Sequence, residues 1–131
     1  MRSAVEEFLR YTAPIEIASE RHVVKSALLH GRSLQPGDRV LAVIASANRD
    51  EDHFSDPDQL NIRRNPAANI AFGSGIHHCI GFHLAKLEAE IAFSLVLQRF
   101  PDIRLGCNLS EVKWRRDVIA RGLSSLPVKL R

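Results

Sequence analysis

Apolar positions recur at helical spacing in two places along the chain. Near the start, Val5, Phe8 and Leu9 fall on one face, which predicts a helix over 3–12 with Ser3 as a cap and Pro14 as its stop. The stronger pattern runs over 80–100, where Ile80, Leu84, Leu87, Ile91 and Leu95 follow helical spacing. Ala85, Ala89, Ala92, Phe93 and Val96 widen that stripe, and Pro101 ends it. His83, Lys86, Glu90, Gln98 and Arg99 are among the polar positions, and so broad an apolar surface implies burial on more than one side.

Between these helices the period changes. "IEIAS", "HVVKSALLHGRSL" and "RVLAVI" read as short strands, punctuated at His30-Gly31 and Pro36-Gly37. "AVIASAN" reads either as strand or as a short helix near 42–48, and periodicity does not choose. Residues 48–69 are polar, proline-broken and non-periodic. A structureless stretch of about twenty residues is unusual in a compact domain unless it is functional or pinned by a ligand. After 100 the chain reads as short strands with a turn near Gly122. The expected class is α+β, with 1–131 forming one unit.

Composition narrows the picture. Apolar residues at 45% and charged residues at 25% are ordinary for a globular protein, and a net charge of +3 is too weak a bias for nucleic-acid binding. The longest apolar run, Val40 to Ala45, is far short of a membrane span, and the first residues carry acids where a signal peptide needs an apolar core. The 2 cysteines, Cys79 and Cys107, make no disulfide framework and no CxxC pair, which points to a reducing, cytoplasmic interior.

Cys79 carries the chemistry. It stands just before the 80–100 helix, where unpaired backbone N–H groups and the positive helix end favour a thiolate. Gly73, Gly75 and Gly81 let the backbone bend and let a bulky flat ligand approach. A lone cysteine beside apolar residues is often a small buried hydrophobe. An activated thiolate beside an open face suits a nucleophile or a metal ligand instead. A nucleophile wants a base beside the sulfur, for which His77 or His78 would serve. Zinc wants about four ligands, and the local histidines offer no familiar spacing. A haem needs only one protein thiolate.

Phe72, Gly75, His77, Cys79 and Gly81 reproduce the F-x-x-G-x-H-x-C-x-G pattern, and the chain thereby resembles the cytochrome P450 family. Glu7 and Arg10 in "EEFLRY" match that family's E-x-x-R, while "ASANRD" and the ending "RGLSSLPVKL" resemble segments of its bacterial members. The resemblance covers essentially the whole chain, aligned with the last third of a full-length enzyme. It implies a truncated, haem-binding C-terminal part of a haem-thiolate monooxygenase that uses haem b.

By that resemblance Cys79 is the axial iron ligand, Phe72 packs near the sulfur, and Gly75 and Gly81 give the cofactor room. His77 and Arg21 match the family's propionate-binding residues. In the family the pair that Glu7 and Arg10 match is buried and anchors the loop leading to the cysteine, and the resemblance implies the same structural role here. The sequence departs from the family in three places. Gln59 stands where an arginine usually completes the glutamate–arginine cluster, so either Arg63 or Arg64 substitutes or the network is weaker; Asn69 replaces a frequent histidine; His78 stands where a hydrophobic or aromatic residue is more usual. The family's long central helix with its acid–threonine pair has no counterpart here.

The expected partners are a small organic substrate and an electron donor such as a ferredoxin, bound to a basic face to which Arg63, Arg64 and Lys86 contribute. "PIEIAS" and the turn near Asp117–Ile119 would face the substrate. The apolar face of the second helix calls for a homodimer or a complementing polypeptide. Two alternatives stand beside the monooxygenase: a non-catalytic module acting through protein contacts, and a thiol enzyme using Cys79 with His77 or His78.

Overall fold

The computed structural model describes residues 1–64, 69–115 and 120–130. The class is α+β, as the pattern predicts. Helix α1 spans Arg2–Tyr11 and β1 spans Arg21–His22; β2 (Ala27–Leu29), β3 (Arg32–Leu34) and β4 (Arg39–Val40) follow. Helix α2 is Ile44–Ala47, α3 is Phe82–Arg99, and β5 (Arg104–Leu105) and β6 (Val128–Lys129) lie near the end. Three antiparallel pairs result: β1 with β4, β2 with β3, and β5 with β6.

The expected helices form within a residue or two of their predicted ends. Ser3 is not the cap of α1. The helix begins one residue earlier, with Met1 in the cap position accepting the Val5 N–H at 3.1 Å. Thr12, rather than Pro14, closes α1, its N–H bonded to Phe8 O at 2.8 Å. The ambiguous "AVIASAN" is split: Val43 bridges Ile17 as extended chain, and the next four residues turn into α2. "IEIAS" forms single bridges, Ile15 to Ala120 and Ile17 to Val43, rather than a strand, because its two partners come from different parts of the chain. The β2–β3 hairpin turns at His30 (φ 46°) and Gly31 (φ 77°), the left-handed pair that a two-residue hairpin needs.

The apolar core is small. Ala13, Ile44 and Ala71 form its centre, with Leu9, Ala18 and Ile70 packed around them, and Val5 and Phe54 are buried nearby. Much of the remaining interior is polar: Glu6, Glu7, Arg10 and Asn48 are all buried. Helix α3 packs on α1 through an edge-on contact of Phe93 with Phe8, the ring centroids 5.4 Å apart. Its sequence pattern implies burial on more than one side, yet no α3 residue is buried, and Leu84, Leu87, Ile91 and Leu95 are all half exposed or more. The accessible surface is 10397 Å². A compact monomer of 14.7 kDa has roughly 6,900 Å². Among the described residues, no helix is long and apolar enough to cross a membrane.

Candidate functional site

The cysteine loop runs from Phe72 to the head of α3. Gly73 (φ 75°) and Gly75 (φ 66°) take left-handed conformations that most side chains avoid, and a single 3-10 turn over Gly75–His77 follows. The Cys79 N–H donates to Phe72 O at 2.8 Å, and Cys79 O accepts the Phe82 N–H at 3.3 Å, so both flanks of the loop are tied to the cysteine backbone. Its thiol is free and exposed. A Cβ added at Gly81 would stand 4.0 Å from the sulfur. Before and after Cys79 along the chain, Ile76 and Ile80 are 96% and 102% exposed.

The loop is reached through an ion cluster on α1. The Arg10 guanidinium donates to Glu7 through Nε at 2.8 Å and Nη2 at 2.9 Å, and both side chains are 2% exposed. Its remaining donors go to backbone carbonyls: Asn48 O at 2.9 Å, Pro57 O at 2.8 Å and Gln59 O at 3.1 Å. Asn61 donates its N–H to Glu7 at 2.8 Å and Arg64 donates Nε at 3.3 Å. From Asn48 to Arg64 the irregular stretch is therefore tied down by two arginines, Arg10 and Arg64.

Arg64, not Arg63, completes the cluster in place of the arginine that Gln59 displaces. Burial alone would push the Glu7 carboxyl up. The Arg10 hydrogen bonds, the Asn61 N–H, the Arg10 charge and Arg64 together outweigh burial and hold it down at about 2.

A second tether lies beside the first. Glu6 accepts Lys86 Nζ of α3 at 2.7 Å and Asn69 Nδ2 at 3.0 Å. The Lys86 ammonium lies 5.7 Å from the Phe72 ring centre and 5.6 Å from that of Phe82. Lys86 and Arg64 are thus committed inside the fold, and of the three residues expected on a basic docking face only Arg63 is exposed. Asn48 is a further anchor: its Oδ1 accepts the Ile70 N–H at 2.8 Å, on the approach to the loop.

The roles of Glu6 and Asn48 were not readable beforehand, because each depends on a partner more than twenty residues away. The local signals were the tandem Glu6-Glu7 and the "ASANRD" segment that contains Asn48.

The remaining candidates are dispersed. His77 is exposed, and His78 places Nδ1 3.2 Å from Gly73 O with its ring edge-on to Phe82 at 4.3 Å. Among the described residues no hydrogen bond joins the Cys79 thiol to either histidine. Arg21 is exposed on β1 and folds back onto Ser19 and the Glu20 carbonyl rather than toward the loop. The described residues hold no group of three or more His, Cys, Asp or Glu side chains placed for a metal ion. A concavity beside α2, lined by His30, Val43, Ser46 and Arg49, contains no residue of the cysteine loop. Asp117–Ile119, expected to face substrate, lie outside the described residues.

The family model described as Cytochrome P450 matches residues 1–102. The chain belongs to the cytochrome P450 family. It is 47% identical over 128 residues to the polyketide biosynthesis cytochrome P450 PksS of Bacillus subtilis, covering 98% of this chain and 32% of that one. It is 45% identical to the cytochrome P450 monooxygenase PikC of Streptomyces venezuelae, covering 98% of this chain and 31% of that one. Among solved structures, the tirandamycin C-bound P450 monooxygenase TamI superimposes with a TM-score of 0.96 at 42% identity, covering 99% of this chain and 33% of the other. The chain spans about a third of the length of the P450 relatives it matches. The family's characteristic pair of E-x-x-R and cysteine-loop motifs is present in it.

Proposed function

We propose that this chain forms the haem-binding part of a bacterial cytochrome P450 monooxygenase, with Cys79 as the axial thiolate. The observation that carries the reading is the cysteine loop itself. A free thiol stands exposed at the head of α3 between two fully exposed isoleucines, Ile76 and Ile80, on a backbone fixed at both flanks. Apolar side chains left bare around a thiol fit a large flat apolar ligand, which covers them while taking the sulfur as its metal donor.

The other residues fit haem b. Gly75 has open space where a side chain would stand, and Gly81 keeps the near side of the sulfur clear. Phe72, whose carbonyl accepts the cysteine N–H, would pack against the haem near the sulfur. His77 and Arg21, both exposed, bind the propionates through charge-assisted hydrogen bonds, Arg21 by leaving Ser19. When bound, a haem iron with thiolate ligation supplies the activation of oxygen for monooxygenation. This chain's contribution is to hold the thiolate, orient the cofactor and fix the loop through the Glu7–Arg10–Arg64 cluster.

The substrate is a small organic molecule, and an electron-donor protein such as a ferredoxin binds a basic face to which the exposed Arg63 contributes. PksS is named for polyketide biosynthesis, which supports a polyketide as the substrate class. The bare face of α3 favours association with a second copy or a complementing polypeptide. Titration of the full chain with haem tests the reading: stoichiometric uptake with a thiolate-type absorption spectrum supports it, and no uptake overturns it.

A further inference from the structure

Cys79 is bonded through its N–H to the carbonyl of Phe72 and through its carbonyl to the N–H of Phe82. The rings of these two neighbours lie 6.4 Å apart and tilted at 55°. One cation serves both: the Lys86 ammonium stands 5.7 Å from the first ring centre and 5.6 Å from the second. That ammonium is fixed in turn by Glu6 at 2.7 Å, with the carboxylate side chain 10% and the lysine side chain 26% exposed. Glu6 is oriented by Asn69, whose Oδ1 also accepts the Ala71 N–H at 3.1 Å, just before the loop.

We propose that Lys86 is the positioning residue of the cysteine loop: held by Glu6, its ammonium clamps Phe72 and Phe82 across Cys79. The purpose of the clamp, a fixed thiolate donor, rests on the haem reading above; the clamp itself does not. Physical grounds favour this role over that of a surface docking charge. A partly buried ammonium standing over both rings is attracted by both quadrupoles, and its pairing with a mostly buried carboxylate makes it costly to withdraw. The lysine stem carries the cation from α3 to both rings. The Glu7–Arg10–Arg64 cluster holds the approach to the loop, whereas this clamp acts on the two residues bonded to the cysteine.

Amide hydrogen exchange on the full chain tests the clamp without any cofactor. In Lys86→Met, which keeps the stem and removes the charge, the Cys79 and Phe82 amides should exchange about tenfold faster, while the Ala27–Leu29 hairpin amides keep their wild-type rates. Lys86→Arg should restore protection at both positions. Unchanged exchange at Cys79 and Phe82, or an equal rise in the hairpin, overturns the proposal. Should Lys86→Met fail to fold, Glu6→Gln carries the test, with the same local rise expected and the same results against it. Haem titration of the wild-type chain decides the haem reading separately. A chain that binds haem with unaltered Lys86→Met exchange refutes the clamp alone, and one that binds none but shows the local rise refutes the haem reading alone.

Discussion

Arg64 donates through Nε to the Glu7 carboxylate at 3.3 Å, closing from the irregular chain after α2 an ion cluster that begins on α1. The same guanidinium also bonds the Asp56 carbonyl at 3.0 Å and the Gln59 carbonyl at 3.3 Å. It therefore does for this chain what an arginine at position 59 does in the family pattern, from five residues further on.

Arg64→Ala should lower stability by about 1–3 kcal/mol, since it removes a charge-assisted bond to the buried Glu7 and the ties to the Ser55, Asp56 and Gln59 carbonyls. Arg63→Ala, at an exposed neighbour, should change it by about 0.5 kcal/mol or less. Urea unfolding of both variants checks this. Equal losses would mean that Arg64 does not complete the cluster.

The cluster also sets an acid limit. Glu7 is held near about 2, against an ordinary value of 4.5, so the folded state binds its proton less readily than the unfolded chain. The resulting stabilisation is fully present above about 4.5 and fades as pH falls toward about 2. Its size is on the order of 3 kcal/mol at most. Urea midpoints measured down through that window should fall, and Glu7→Gln should be less stable at neutral pH but flatten the profile. A profile as steep in Glu7→Gln as in wild type would contradict the assignment.

His78 bridges the loop by placing its ring between Gly73 O and Phe82. His78→Phe keeps the aromatic contact and loses the polar one. In the haem-loaded chain a small shift of the Soret position or of the iron potential is expected. Identical values in both proteins would remove any role for His78 beyond packing.

The open face of α3 predicts association. With Leu84 and Leu95 each 60% exposed, the chain should scatter light as a dimer or larger species, and Leu84→Lys with Leu95→Lys should reduce its mass. A well-behaved wild-type monomer would contradict this.

What could be read beforehand follows from the range of the interactions. The two longer helices were legible because helical spacing is local, and the cysteine loop because its motif lies within ten residues, from Phe72 to Gly81. The choice between Arg63 and Arg64, the caging of Lys86 and the anchoring by Asn48 were not. Each depends on contacts such as Ile70 with Asn48, made across more than twenty residues. The strand expected in "IEIAS" failed for the same reason: its bridges come one at a time from Val43 and Ala120. The docking role expected of Lys86 arose from charge alone, whereas geometry gives that charge an internal partner.

The claim that Cys79 carries the cofactor is tested most directly by the carbon monoxide spectrum of the reduced, haem-loaded chain. Wild type and Cys107→Ser should show the band at the wavelength that gives the family its name, and Cys79→Ser should lose it. A band that survives in Cys79→Ser, or one that never appears in a haem-loaded wild type, would contradict the account.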